Sequence, residues 1–357
     1  MSAAPPEATA STENLADILP NLPEPLSSLL PHLVPALAHL SHLLQTELPT
    51  TTASSNTFGD TQLSLDLLAD KLIFAALKSS HAVHFASSEE TAAQVDLGGE
   101  ACSVAFDPLD GSSIIPQNFA VGTIIAIFPP GPFSDRRGDD IIAAIVASYG
   151  PRTELFIAIP HGPNPRCLRF LLTANPTPPP PRTPLPSPPP PIPQAPLLAT
   201  YFRNASPPTF SNLKLFAPAN LRAATALPGY SRFVNHCISN RFTLRYSGGL
   251  VPDVLQLLVK GGGVYSSPAT GVSGDAGGGA APAKLRVLYE LVAMACVVEC
   301  AGGEASDGAG RFLARKLGDL DERSPVCYGS PEWVSMYDEM VGPMLAGEAE
   351  AGEPSSF

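Results

Sequence analysis

The sequence predicts a mixture of helices and strands, a pattern compatible with an α/β protein. Three observations carry that prediction: leucine-rich stretches with helical spacing, short apolar runs bounded by turn residues, and an apolar content of 44% in 357 residues, enough for a substantial core. In Leu26–Leu44 the residues Leu29, Leu30, Leu33, Leu37, Leu40 and Leu44 recur at helical spacing. Pro31 and Pro35 interrupt them, so a kinked or broken helix is expected there. Thr51–Phe58 reads as a polar connector. Gly59 and Asp60 then introduce Leu63, Leu67, Ile73 and Leu77, a helix that runs to about Lys78.

Ser103–Phe106, Val121–Phe128, Ile141–Ser148 and Glu154–Ile159 are the strand candidates, the last two joined by the hairpin turn Tyr149-Gly150-Pro151-Arg152. Pro176–Pro196 holds 13 prolines in 21 residues and predicts an extended polyproline linker. Gly271–Pro282 has the bias of a surface loop. Val251–Val259 is helix-like, and Lys284–Cys300 places Leu285, Leu288, Leu291 and Ala295 on one face. The expected organisation is a frayed segment and helix over 1–57, two organised halves over 58–172 and 210–341, a proline-rich insertion over 173–209 and an acidic tail over 342–357.

Lys and Arg total 21 against 33 Asp and Glu, a net charge of -12, which argues against a nucleic-acid partner because phosphate backbones are held by Lys and Arg. Six cysteines without a CxxC pair suit a reduced compartment better than a disulfide scaffold. No Lys or Arg occurs in the first 70 residues, so the basic end of a signal peptide and the arginines of a transit peptide are both missing. No apolar run is long enough to cross a bilayer. A cytoplasmic protein with no membrane partner is expected.

The most informative segment is Val104-Ala105-Phe106-Asp107-Pro108-Leu109-Asp110-Gly111-Ser112-Ser113. A short strand delivers two carboxylates, three residues apart, at a turn that Pro108 sets and Gly111 releases. Two such carboxylates repel unless a cation lies between them, and carboxylate oxygens suit Mg²⁺. The amides after Gly111 can face a phosphate, so metal ligands and a phosphate cradle would share one turn, as metal-assisted phosphate ester hydrolysis requires. Taken alone, the same composition also makes an ordinary surface turn. Upstream, Asp60, Asp66 and the pair Glu89-Glu90 are further candidates, each with a plain alternative: a helix cap, a solvated helix position and an exposed loop.

Phe58-Gly59-Asp60 with Asp66, Ser88-Glu89-Glu90, Asp107-Pro108-Leu109-Asp110-Gly111-Ser112-Ser113, Lys284-Leu285-Arg286-Val287-Leu288-Tyr289-Glu290 and Ala301-Gly302-Gly303 stand in an order that resembles the fructose-1,6-bisphosphatase and sedoheptulose-1,7-bisphosphatase family. The likeness covers most of 58–341. Asn118-Phe119-Ala120-Val121-Gly122, Asn220-Leu221-Arg222 and Leu244-Arg245-Tyr246-Ser247-Gly248-Gly249-Leu250-Val251-Pro252-Asp253 look more like the sedoheptulose branch, as do Leu221-Arg222-Ala223 and Ser266-Ser267 where the fructose branch places tyrosines. The resemblance implies a layered α/β sandwich, two mixed sheets between helical layers, with the metal site where the two halves meet.

It also implies roles. Glu89, Asp107, Asp110 and Glu290, with the carbonyl of Leu109, would bind two or three Mg²⁺ ions, Mn²⁺ being an acceptable substitute. Asp66 and Glu90 would hold and deprotonate the attacking water, and Asp60 would steady the metal loop. The scissile 1-phosphate would rest on Gly111, Ser112 and Ser113. Lys284 and Arg286 would reach sugar hydroxyls and phosphate, although by themselves they also read as surface residues opening a helix. Asn220, Arg222, Arg245 and Tyr246 would hold the distal phosphate, for which the planar arginine fork is suited. The residue matching Arg245 can come from a neighbouring subunit in the fructose enzymes, which implies a homo-oligomer, a dimer or tetramer.

His39 with His42, and His81 with His84, are spaced for one helical face but lack the companions of a transition-metal site. The function expected is hydrolysis of the 1-phosphate of sedoheptulose 1,7-bisphosphate, with fructose 1,6-bisphosphate as the rival substrate. A reading of another class is a non-catalytic sugar-phosphate binder, or a protein that offers 176–196 to SH3 or WW domains.

Overall fold

Helical leucine spacing and alternating apolar runs assemble into five stacked layers. The computed structural model describes residues 15–49, 51–55, 61–162, 165–172, 202–205, 209–270 and 282–345. Asp60, the polyproline tract with its SH3/WW reading, and most of the Gly271–Pro282 loop lie outside the described residues.

The strands in chain order are β1 Thr51–Ser55, β2 Thr61–Leu63, β3 Val83–Ser88, β4 Val95–Asp96, β5 Cys102–Asp110, β6 Val121–Phe128, β7 Ala143–Tyr149, β8 Thr153–Ile159, β9 Arg166–Leu172, β10 Phe202–Ala205, β11 Ser211–Pro218, β12 Thr243–Leu244, β13 Gly262–Ser267, β14 Glu304–Ser306 and β15 Val326–Gly329. The helices are α1 Leu15–Ile18, α2 Leu26–Thr46, α3 Ser64–Ser79, α4 Pro228–Ser239, α5 Leu250–Lys260, α6 Val292–Cys300 and α7 Pro331–Leu345.

An eight-stranded sheet has the order β10-β9-β8-β7-β6-β5-β3-β4, antiparallel except where β3 runs parallel to β5. A five-stranded sheet, β12-β11-β13-β15-β14, is likewise mixed. Strand alternation explains the layering. Val104, Phe106, Ile125 and Ile127 pack with the leucines of α2 and α3 on one face of the large sheet. Ala105, Ile124, Ala126 and Phe128 point the other way, into a core shared with α5, α6 and the second sheet. The outer face of the second sheet, Phe216, Val264 and Cys327, is closed by Tyr230 and Phe233 of α4 and by Trp333 and Tyr337 of α7. Both faces of β5 and β6 are therefore covered, so these strands are buried at every position, polar residues included.

In the N-terminal region the broken form of the leucine helix is excluded and the reading of 51–58 as a connector is corrected. Helix α2 runs unbroken through Pro31 and Pro35. Each proline removes a backbone donor at a cost of about 3 kcal/mol, and burial of Leu29, Leu30, Leu33, Leu37 and Leu40, about 1.5–3 kcal/mol each, offsets that loss. Thr51–Phe58 is not a connector throughout: Thr51–Ser55 pairs antiparallel with β2, a backbone pairing for which its threonines have good propensity. Strands β9 and β10 are antiparallel neighbours, so 173–201 joins two adjacent strands of the large sheet.

One close approach ties the sheet to the middle layer. A Cβ on Gly122 of β6 would stand 2.4 Å from Val251 Cγ1 and 2.7 Å from the Ala147 carbonyl oxygen. Gly122→Ala is therefore expected to lower stability by about 2 kcal/mol, read as a fall of several degrees in the thermal midpoint.

Candidate active site

Strand β5 carries Asp107 and Asp110 into the centre of the molecule. Residues three apart on a regular strand face opposite ways, yet these two carboxylates are electrostatic neighbours. The reason is an irregularity in the ladder: Asp107 pairs with Ile124 and Asp110 with Gly122, so β5 spends one residue more than β6 over that step. Pro108 sits in this bulge, where its missing N–H is tolerated, and its carbonyl accepts a bond from Thr123 Oγ1 at 2.8 Å. The expected turn at Pro108 is thus a bulge within a strand that continues to Asp110, and the chain reverses only at Gly111. That glycine adopts φ +79°, and a Cβ there would lie 3.3 Å from Gly249 Cα. A short helix, Ser112–Gln117, follows; Gly111 and Ser112 are half-buried and Ser113 is exposed.

Asp107 meets Glu89, just beyond the end of β3, and Glu290, in the π-helical turn Val287–Leu291 that leads into α6. Each offers one carboxylate oxygen, and the three oxygens lie within 4.8 Å of one another. The cluster draws Glu89 and Asp107 from one half of the chain and Glu290 from the other. Asp107 Oδ1 accepts from the Leu109 amide at 2.8 Å, and Glu290 Oε2 from the Arg286 amide at 2.5 Å. Burial, then the charges of Glu89, Glu290 and Asp110, push the Asp107 carboxyl well above its ordinary range. Burial, then Glu89, does the same to Glu290. Asp110 is raised to about 7 by burial, against the pull of two amides at the start of α5, Val251 N at 2.7 Å and Leu250 N at 3.2 Å.

Such a set fits a hard divalent cation. Its donors are all carboxylate oxygens, and buried acids this close are stable in ionised form only with a positive charge among them. Part of that charge is already supplied by Arg286, whose buried guanidinium pairs with Glu89 and, at 3.0 Å, with Asp321. This differs from the outward reach toward sugar and phosphate expected for Arg286. The physical reason is that a buried cation takes the nearest uncompensated carboxylates. Asp321, 35 residues further on, has no marking in the sequence.

The other expected residues divide into three groups. Asp66 lies buried in the first turn of α3, while Glu90 is half-buried beside Glu89. Arg222, Arg245, Tyr246 and Lys284 are exposed. Tyr246 feels the charges of Asp253 and Arg222, and the buried Tyr265 feels Tyr246, Asp110 and Asp253, so the Arg222–Tyr246 region adjoins the acidic centre through Tyr265. Tyr246 Oη donates to the Ala219 carbonyl at 3.1 Å. Asn220, in contrast, is buried, with Nδ2 donating to the Pro268 carbonyl at 2.7 Å. Asp253 ends one of the motifs quoted from the sequence but carried no role there: it accepts the amides of Ser247 at 2.6 Å and Gly248 at 3.0 Å, shaping the loop that leads to the α5 amides on Asp110. Cys296 is a core residue of α6, and Cys300 is half-buried at its end.

Comparisons with known proteins agree with this architecture. Residues 14–173 match the N-terminal domain model of fructose-1,6-bisphosphatase and residues 210–342 the C-terminal domain model. The chain is 36% identical over 336 residues to the chloroplastic sedoheptulose-1,7-bisphosphatase of Chlamydomonas reinhardtii, covering 92% of this chain and 77% of that protein. It is 35% identical to the class 1 fructose-1,6-bisphosphatase of Geobacter sulfurreducens, over 81% of this chain and 82% of the relative. A solved structure from Toxoplasma gondii, provisionally named a sedoheptulose-1,7-bisphosphatase, superposes with a TM-score of 0.78 at 30% identity, over 95% of this chain and all of the other.

Fold, acidic cluster and these matches define a phosphoric monoester hydrolase acting on sugar phosphates. More closely, the chain belongs to the fructose-1,6-bisphosphatase family.

Proposed function

We infer that this protein removes the 1-phosphate from a ketose bisphosphate with the help of Mg²⁺, and that sedoheptulose 1,7-bisphosphate is preferred to fructose 1,6-bisphosphate. The observation that carries the reading is the buried, oxygen-only cluster of Glu89, Asp107 and Glu290 beside the Gly111 turn. The preference for the longer sugar draws on Leu221-Arg222-Ala223 and Ser266-Ser267 where the fructose branch places tyrosines, and on the sedoheptulose enzymes among its relatives.

Glu89, Asp107, Asp110 and Glu290, with the Leu109 carbonyl, would hold two or three Mg²⁺ ions, or Mn²⁺ in their place. Bound there, the ions supply an acidified water and charge compensation for the phosphoryl oxygens. Glu90 and Asp66 would hold and deprotonate the attacking water, and Asp60 would steady the metal loop. The amides of Gly111, Ser112 and Ser113 seat the 1-phosphate. Lys284 and Arg286 would reach the sugar hydroxyls and phosphate, Arg286 from its ion pair with Glu89. Arg222, Arg245, Tyr246 and Asn220 orient the distal phosphate, in a homo-oligomer, a dimer or tetramer, if Arg245 serves a neighbouring subunit's site. The working compartment proposed is the cytoplasm, and among the described residues no helix is long and apolar enough to cross a membrane.

Phosphate release from the two bisphosphates, compared by kcat/KM in the presence of Mg²⁺, tests the substrate. A ratio of at least about ten in favour of the seven-carbon sugar is expected, equal to about 1.4 kcal/mol of transition-state discrimination. A ratio below one assigns the protein to the fructose reaction. Turnover of neither substrate leaves the idle-binder reading.

A further inference from the structure

We propose that Asp70 is a positioning residue that fixes the Ser88–Thr91 turn and thereby the metal-facing carboxylate of Glu89, a role that rests on the metal reading of the cluster. Asp70 lies on α3 one helical turn after Asp66, and both belong to the buried face of that helix. One carboxylate oxygen, Oδ1, accepts from Ser88 Oγ at 2.5 Å, and the other, Oδ2, accepts from Thr91 Oγ1 at 3.1 Å. Glu89 and Glu90 stand between those two hydroxyl residues, so a single carboxylate grips the turn on both sides of the acid pair.

The turn closes around the same contacts. The Thr91 amide donates to Ser88 Oγ at 2.8 Å, and the Ser88 amide donates to the Thr91 carbonyl at 3.1 Å. The Glu89 amide donates to the Phe106 carbonyl at 3.1 Å, which registers the turn against β5 one residue before Asp107. A buried carboxylate is costly unless its oxygens are bonded, so Asp70 is not a chance surface acid of α3. Its geometry also answers a need. Glu89 has a competing partner in Arg286, and a turn free to rotate would let that ion pair draw Glu89 away from Asp107 and Glu290. Groups that orient a metal ligand in this manner typically change metal affinity by about 10–100-fold when removed.

Binding of Mn²⁺ to the purified full-length chain, measured by isothermal titration beside a thermal melt, tests the proposal. Asp70→Ala is expected to raise the Mn²⁺ dissociation constant at least about tenfold while unfolding stays cooperative. Asp70→Asn, which keeps one acceptor oxygen, loses less. Thr91→Val removes one of the two grips and raises the constant a few-fold; it decides the matter should Asp70→Ala fail to fold. A lowered thermal midpoint with Mn²⁺ affinity unchanged within twofold, in Asp70→Ala or in Thr91→Val if that variant must decide, shows a merely structural role and overturns the proposal. If the unsubstituted chain binds no Mn²⁺, the metal reading itself falls, and the role of Asp70 falls with it.

Discussion

Asp107→Asn is expected to lower kcat by at least about a thousandfold on either bisphosphate while the chain folds normally. Asp107 has three acidic neighbours: Glu89, Glu290 and Asp110 all raise its carboxyl, on top of burial. An amide keeps the volume and the bond from the Leu109 amide but removes the anionic donor that a hard cation requires. Because like charges press on Asp107 in the metal-free chain, the substitution relieves repulsion there. The metal-free thermal midpoint should therefore stay level or rise. Added Mg²⁺ should stabilise the unsubstituted chain, by mass action on the native state, and leave the variant nearly unmoved. Phosphate release and paired melts with and without Mg²⁺ measure both effects. Retained turnover would remove Asp107 from the site.

The second large effect concerns metal and protons together. Chelation with EDTA should abolish turnover, and excess Mg²⁺ should restore it. The Mg²⁺ concentration for half-maximal rate should fall at least about tenfold between pH 6 and pH 8. Burial holds Asp110 at about 7 and Asp107 and Glu290 well above the ordinary carboxylate range, whereas a cation binds the ionised forms. Protons compete for the site at low pH and are released on binding, so affinity rises as pH rises through about 7. Stability of the metal-free chain moves the other way. Between the ordinary carboxylate range and these raised values the folded state binds more protons than the unfolded one, so stability falls as pH rises through that window. Titration calorimetry in buffers of different ionisation enthalpy reads the released protons. A half-activating concentration that is flat with pH would show that these carboxyls are ionised before the metal arrives.

Much of the candidate site was legible as residue types in order. Asp107, Asp110, Glu89, Glu90 and Glu290 stand in short motifs that are ordinary one by one and distinctive only in their order along the chain, and strands β6, β7 and β8 were marked by apolar runs with turn residues between them. Less was visible of the devices that aim those residues. The bulge at Pro108 depends on how β5 registers against β6, a pairing between residues about 15 apart. The amides of Leu250 and Val251 reach Asp110 across some 140 positions of sequence, and Arg286 reaches Glu89 across nearly 200. Asp70 had a local signal, its place one helical turn after Asp66, but only the nearness of Ser88 and Thr91 turns that spacing into a contact.

Local chemistry in the sequence therefore determined which groups this protein can bring to a reaction: an excess of carboxylates in fixed motifs, a glycine able to take a left-handed turn, and helices and strands with apolar faces to bury. Tertiary structure alone decided which of those carboxylates meet. Their meeting is a balance between the cost of burying like charges and the packing of two sheets around α5 and α6 that forces them together. That balance is a sum over distant contacts, and no window of the sequence contains it.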